Sequence, residues 1–445
     1  MTTSLKRSKG SQSSLRIGTY SFWIKLCQIG AFNIYSNTVE SDNNRGYFQL
    51  TSDNKWRMVD NDASGTHIQL RTNRLFRDLN AWYHMVVRVD TTQATSTDRV
   101  RLYVNGVQET SFDQTDYPAQ NDDLKIFQGG QTNREYINNI YGGSALATNF
   151  YLSHFHYTDG QSYGPDTFGS TDATTGEWKI NTSPTVTYGN QGFFMFKDDA
   201  SLSDDSGNSN NWSADSGTVQ KSEDNPSDTF NTWNRNLGNN LVPGFTFSTG
   251  NTTIAFATPA NDSWGFSNLG AFSGKYYAEF KVSSFSDNSH YIGVKFFDGI
   301  MSTDNFKNTI FLRFAKSSNT NQIYSGFTSG FLQSNLDSFS SGDIIGIAVD
   351  IGNGTVNFTR NGAQYATQVT GQASNFAGKQ LQFACFGEGH GSQSGRTFTM
   401  NANFGNGYFG TTAITSEGTN ASNIGKFEYD VPSGFTAFST KGINS

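Results

Sequence analysis

Two histidines stand two residues apart in Ser153-His154-Phe155-His156-Tyr157. On an extended strand that spacing puts both imidazoles on one face, close enough in principle for a shared metal ion. A metal needs a third ligand, and Asp159 is the nearest candidate. The alternative is a sheet face that carries two histidines while Phe155 and Tyr157 point the other way, and that is the expectation. His84, in Trp82-Tyr83-His84-Met85, is likewise expected to be structural.

Glycoside hydrolysis needs two carboxylates about 5 to 9 Å apart. None of Glu40, Glu109, Glu135, Glu177, Glu279, Glu388, Glu417 or Glu428 has a second glutamate two to five residues away. The string Gly387-Glu388-Gly389-His390-Gly391-Ser392 sets a Glu and a His close together among glycines that would let a ligand approach the backbone. It lies between two strand-like runs and reads as a flexible connection. No glycine-rich phosphate loop, Cys-x-x-Cys pair or supported Ser-His-Asp grouping is present. The expectation is a protein that is not an enzyme, with no catalytic residues and no cofactor.

The elements that would hold these residues are strands. Gly, Ser, Thr and Asn dominate, and 38 Phe and 19 Tyr supply most of the large apolar side chains. Residues that fill ordinary helices are scarce, and no amphipathic helical period persists for three turns. At 445 residues the chain exceeds what one core serves. Charged residues are 16% and the net charge is -7, which argues against nucleic acid and against a basic membrane-seeking face. No run of about 18 apolar residues exists, so no membrane insertion is expected. The first fourteen residues are polar, with no apolar segment of a secretory signal. Cys27 and Cys385 are far apart and are expected to be buried and unpaired.

Tyr20, Phe22, Ile24 and Leu26 alternate with Trp23 and Cys27 on the other face, the period of a half-buried strand. Similar runs follow at 46–52, 56–60, 67–71, 82–90, 99–104 and 149–157, with turn-rich clusters between them. From 197 to 227 the pattern collapses into polar, turn-rich sequence, expected to be a linker. Alternation resumes at 252–257, 274–282, 291–297, 310–314, 343–350, 354–360 and 381–386, and a last run covers 427–439. Both halves contain strand, Asn-Gly, strand, at Asn105-Gly106 and Asn361-Gly362, where a two-residue hairpin needs positive φ at both positions. The expected fold is all-β, two tandem antiparallel β-sandwiches of the jelly-roll kind, over 1–196 and 228–445.

Residues 20–25 (Tyr-Ser-Phe-Trp-Ile-Lys), 80–90 (Asn-Ala-Trp-Tyr-His-Met-Val-Val-Arg-Val-Asp) and 101–107 (Arg-Leu-Tyr-Val-Asn-Gly-Val) resemble a laminin-G-like, concanavalin-type jelly roll. Residues 274–279 (Gly-Lys-Tyr-Tyr-Ala-Glu), 342–346 (Gly-Asp-Ile-Ile-Gly) and 353–362 (Asn-Gly-Thr-Val-Asn-Phe-Thr-Arg-Asn-Gly) resemble a SPRY domain. The tandem, with Thr-Thr-Gly-Glu-Trp-Lys at 174–179, Asp-Ser-Gly-Asn-Ser-Asn-Asn-Trp at 205–212 and Val-Pro-Ser-Gly-Phe-Thr-Ala at 431–437, resembles large proteins of tailed, especially aquatic, bacteriophages.

The resemblance implies a virion protein made in the host cytoplasm: a tail-fibre or receptor-binding component, or a head decoration. Its implied partners are other virion proteins, copies of itself, with a trimer as the guess, and a host-surface glycan or protein. A non-virion adhesin and a polysaccharide depolymerase are the rivals. Residues 4–7 are then expected to be an edge strand, with Lys6, Arg7 and Lys9 as solvated charges. Laminin-G-like domains often hold calcium at a loop rim; Asp42, Asp60, Asp62, Asp116, Asp122 and Asp123 suggest such a site without fixing one. Trp264, Tyr291 and the loop 327–336, with Phe327 and Phe331, are the candidate ligand contacts, because ring faces held on a rigid scaffold suit sugars.

Overall fold

The computed structural model describes residues 3–38, 44–129, 134–140, 148–236, 244–257, 262–286, 290–299, 306–316, 320–388 and 396–445. Strands dominate, and each α-helix among the described residues is a four-residue turn. The chain divides into two compact units, Met1–Lys221 and Ser222–Ser445.

In the first unit an eight-stranded sheet runs β10 (Phe112–Asp116), β6 (Gly65–Leu75), β5 (Lys55–Asp62), β4 (Arg45–Leu50), β3 (Phe32–Thr38), β11 (Arg134–Ile137), β1 (Ser4–Ser8), β16 (Ser213–Ser216). A six-stranded sheet runs β15 (Phe193–Met195), β12 (Phe150–Asp159), β2 (Ile17–Leu26), β7 (Trp82–Asp90), β8 (Val100–Val104), β9 (Val107–Gln108). The alternation in β2 sends Tyr20, Phe22, Ile24 and Leu26 into the shared core. Tyr20 meets Tyr35 at 4.8 Å and Phe22 meets Phe48 at 5.9 Å, both rings from the other sheet. Each such burial contributes about 1.5–3 kcal/mol, and a one-residue slip would turn the whole set outward. Trp23 and His84, on the outer face, are covered as well. A hairpin of β13 (Gly169–Thr171) and β14 (Trp178–Ile180) brings Trp178 across, and its Nε1 donates to His84 Nδ1 at 2.9 Å.

The second unit repeats the plan. Its larger sheet runs β17 (Phe245–Ser248), β18 (Thr253–Ala257), β29 (Thr397–Asn403), β20 (Lys275–Phe285), β25 (Ile344–Asp350), β26 (Thr355–Arg360), β27 (Ala363–Gln364), with β32 (Thr436–Ala437) parallel to β20. The six-stranded sheet runs β19 (Ser263–Phe266), β28 (Gln380–Gly387), β21 (His290–Phe297), β22 (Thr309–Phe314), β23 (Asn321–Ser325), β24 (Gly330–Leu336). A short pair, β30 (Tyr408–Phe409) and β31 (Thr412–Ala413), forms a separate two-stranded sheet. Phenylalanine fills this core, as at Phe280, Phe383 and Phe404.

Both Asn-Gly turns have the predicted geometry. Asn105 and Gly106 have φ of 48° and 79°, and Asn361 and Gly362 have 49° and 79°. Each Asn also brackets a residue of the strand beyond its hairpin. Asn105 N donates to His84 O at 2.8 Å while its Oδ1 accepts from His84 N at 2.7 Å. Asn361 does the same with Ile344, at 2.8 and 2.9 Å. Each following glycine lies under an aromatic ring: a Cβ would meet Trp178 at 2.4 Å on Gly106 and Tyr429 at 2.5 Å on Gly362.

Four expectations need correction. Residues 197–227 are not a linker, because most of them complete the first unit. Trp212 lies edge-on to Phe193 at 5.3 Å, and β16 pairs with β1. The Asp204 carboxylate accepts the N–H groups of Phe194, Ser206 and Asn210 at 2.9, 2.8 and 2.9 Å. Side chains capping backbone hold this loop, and hydrophobic periodicity is blind to them. Residues 427–439, expected as a last strand-like run, form a strand only over Thr436–Ala437, with Ser439 bridging Phe230.

Within 327–336, Gly330–Leu336 is a strand rather than loop; its pairing with β23 carries two register shifts, which blur the alternation. Finally, β1 lies between β11 and β16 rather than at an edge, and only Lys6 of its cations is solvated. Arg7 and Lys9 are buried on Glu135: Arg7 Nε donates to Oε2 at 2.6 Å and Lys9 Nζ sits 3.1 Å from Oε1. Tyr35 also donates its hydroxyl to Oε1. Burial lowers the Lys9 pKa and works against Glu135, whose carboxyl is nonetheless held low by Arg7 and Lys9.

Candidate functional site

The outer face of the second unit's six-stranded sheet carries a cluster of aromatic side chains. Antiparallel register lines side chains up across the strands. One row runs Trp264, Phe386, Tyr291, Arg313, Gln322, over β19, β28, β21, β22 and β23. The next contains Gly293, Phe311, Tyr324 and Phe331, over β21 to β24. Phe306 lies on both rows, with its ring 4.7 Å from Phe386, 5.1 Å from Tyr291 and 5.3 Å from Tyr324. Phe331 extends the platform, 5.6 Å from Tyr324.

The backbone at Phe306 and Asn308 is conformationally demanding. Phe306 and Asn308 have φ of 61° and 58°, a region disfavoured for residues other than glycine. Thr309 Oγ1 donates to Phe306 O at 2.5 Å, and Gly326 lets that carbonyl approach to where a Cβ would lie within 1.5 Å. Backbone strain of this kind persists only where surrounding contacts over-determine it.

The anticipated contacts divide. Trp264 is only 5% exposed; it packs on Phe386 at 4.8 Å under the Lys295 ammonium at 5.0 Å, and forms the floor. Tyr291 is half-buried in the platform. Phe331 is 51% exposed and Leu332 40%, so the open end lies at β24. Phe327 is elsewhere, packed on Phe296 and Phe376 at 6.2 and 5.8 Å. Phe306, Tyr324 and Arg313 complete the surface and were not picked out from sequence. Alternation in 321–325 could have flagged Tyr324; Phe306 comes from a loop and carries no periodic signal.

The chemical candidates are occupied structurally. His154 sits at a bulge with φ of 48°, its Nδ1 2.7 Å from Ser153 Oγ. His156 stacks on Phe194 at 4.0 Å and meets the Tyr188 hydroxyl at 2.9 Å. Burial pushes His154 down to about 4 and His156 well below its usual value. Asp159 accepts the N–H groups of Ser13, Ser14 and Gln191 at 2.6, 3.1 and 3.0 Å. Among the described residues no group of three or more His, Cys, Asp or Glu is placed to hold a metal.

Asp60 accepts from the backbone of Lys125 and Ile126, Asp62 and Asp122 flank His67 at 3.1 and 2.7 Å, and Asp123 pairs with Arg16. Asp116 lies on β10 with an exposed side chain, whereas Asp42 lies outside the described residues.

Glutamates are similarly engaged. Glu109 pairs with Arg74 and Glu388 with Arg396. Glu279 accepts from Tyr277 Oη, Asn403 Nδ2 and the N–H groups of Glu428 and Tyr429, at 3.2, 3.2, 2.9 and 2.9 Å. Burial lifts its pKa to about 7 despite those donors. Glu40 and His390 lie outside the described residues. Both cysteines are free and buried, and no described helix is long and apolar enough to cross a membrane.

Comparison with known proteins finds a family model similar to part of the chain. Residues 7–143 match the Laminin_G_3 profile, described as the concanavalin A-like lectin/glucanases superfamily. No protein of curated function matches. The chain is similar to the SPRY domain of human HERC1, at 16% identity and TM-score 0.28 over 36% of this chain and 91% of that one. It is also similar to the TRIM65 PSpry domain, at 16% identity and TM-score 0.29 over 39% of this chain and 91% of that one. Stonustoxin matches at 14% identity and TM-score 0.29, over 39% of this chain and 28% of that one. The segment 7–143 is thus similar to laminin-G-like domains of the concanavalin type.

Proposed function

We propose that this chain is a non-enzymatic recognition protein, a tail-fibre or receptor-binding component of a bacteriophage virion, that holds a host-surface glycan on the aromatic platform of its second unit. The observation that carries the recognition reading is the run of rings from Tyr291 through Phe306 and Tyr324 to Phe331, which opens to solvent at β24 and is fixed on a rigid sheet. Sites for small ligands combine such apolar faces with a few placed polar groups, supplied here by Arg313, Gln322 and Ser334. The laminin-G-like segment supports a binding role in the first unit as well. The virion assignment rests on the tandem's sequence phrases, and a homo-oligomer would raise weak single-site affinity through multivalency.

The engagement of Glu109, Glu135, Glu279 and Glu388 in ion pairs and backbone caps supports binding over depolymerisation. Binding of the full chain to host cell-surface glycan, with Tyr324→Ala/Phe331→Ala as the variant, tests the platform. Loss of binding in a variant with an unchanged melting profile is expected, and undiminished binding would refute it. Mass spectrometry of purified particles tests the virion assignment. Release of reducing ends from host polysaccharide would overturn the non-enzymatic reading.

A further inference from the structure

Among the described residues of the aromatic platform, Arg313 is a cation that faces no carboxylate. Arg313 projects from the middle of β22, between its register partners Tyr291 and Gln322. Its Nη1 donates to Gln322 Oε1 at 2.7 Å, while Nε is enclosed without a hydrogen-bond partner. No carboxylate pairs with it among the described residues, whereas Arg71, Arg101 and Arg396 each face one. A half-buried guanidinium lacking a counter-charge is poorly satisfied, and its planar fork matches a carboxylate with two parallel hydrogen bonds.

We propose that the platform takes an acidic polysaccharide, a uronic-acid chain whose carboxylate is received by Arg313 while its sugar rings lie on Tyr324 and Phe331. The proposal rests on the recognition reading above and specifies its ligand. The guanidinium complements a uronate carboxylate locally, and this contact has to act against the chain's net charge of -7. Ring faces beside Gln322 and Ser334 suit pyranose faces and hydroxyls. An acidic peptide is the lesser fit. A peptide would dock by extending the sheet at β24, and the two register shifts there break the ladder that such an added strand would continue.

The test uses the full chain against polygalacturonate, its methyl ester and poly-glutamate, with Arg313→Gln, Arg313→Lys and Tyr324→Ala/Phe331→Ala, each first checked for an unchanged melting profile. Polygalacturonate is expected to bind, with affinity falling as salt rises. Esterification and Arg313→Gln should each weaken it by about tenfold or more, the scale of one charge-assisted hydrogen-bonded pair. Arg313→Lys should fall between, since it keeps the charge and loses the fork. Equal binding of acid and ester, or indifference to Arg313→Gln, would overturn the acidic assignment. If the Tyr324/Phe331 variant still lost binding, the recognition reading would survive that result. Poly-glutamate binding as tight as polygalacturonate would overturn the saccharide. No binding of polygalacturonate would overturn the proposal, and the recognition reading would then stand or fall on the cell-surface glycan experiment.

Discussion

Removing the charge of Glu135 should destabilise the first unit severely. Arg7 and Lys9 share this carboxylate, and their side chains are 4% and 0% exposed. Glu135→Gln preserves the volume and an oxygen for the Tyr35 hydroxyl, yet leaves two cations desolvated. Lys9 retains Ile126 O at 3.3 Å and the Tyr157 ring at 4.5 Å, and Arg7 retains Gln191 O at 3.0 Å. These contacts solvate the cations without neutralising them. Breaking a buried pair from one side costs about 3–5 kcal/mol.

For a unit of this size about 2–4 °C of melting shift accompanies each kcal/mol, so a fall of roughly 6–20 °C is expected. Thermal unfolding followed by circular dichroism gives the shift. Hydrogen exchange at β1 and β11 assigns it to the first unit. Lys9→Met in the Glu135→Gln background removes one stranded cation and should recover part of the loss. A Glu135→Gln shift equivalent to less than about 1 kcal/mol, or an equal shift in the second unit, would refute the claim that this ion cluster is desolvated.

Two further outcomes follow from other buried groups. Burial lifts Glu279 from an ordinary 4.5 to about 7, so between those values the folded unit keeps a proton that the unfolded chain has released. Stability of the second unit should therefore fall, by up to about 3 kcal/mol, as pH rises through that window. Glu279→Gln should flatten the dependence in urea midpoints, and an unchanged slope would count against the assignment. Gly106→Ala and Gly362→Ala each place a Cβ at φ of 79° under an aromatic ring. Each should lower the melting of its own unit by at least about 1 kcal/mol, read by exchange in β7–β8 and β25–β26 respectively, and an unaltered profile would show that the ring moves freely aside.

Much of the architecture is legible in local pattern. Alternation in 20–26 fixes which side chains of β2 enter the core, because a strand has a period of two and no other solution buries four large residues together. Asn105-Gly106 and Asn361-Gly362 specify their turns because few other dipeptides accept positive φ twice. Of the aromatic residues singled out from sequence, Tyr291 and Phe331 lie on the platform, and Phe327 packs elsewhere.

What the tertiary structure decided concerns partners distant in sequence. Arg7 and Lys9 look like surface cations beside Ser and Gly until β11 brings Glu135 against them. The 204–211 loop looks like a spacer until Asp204 caps the backbone of Phe194. Trp264 looks available until Phe306, more than forty positions later, folds over it. In each case local sequence determined conformation, while burial and charge pairing depended on which segments the two sheets bring together, and no local period encodes that.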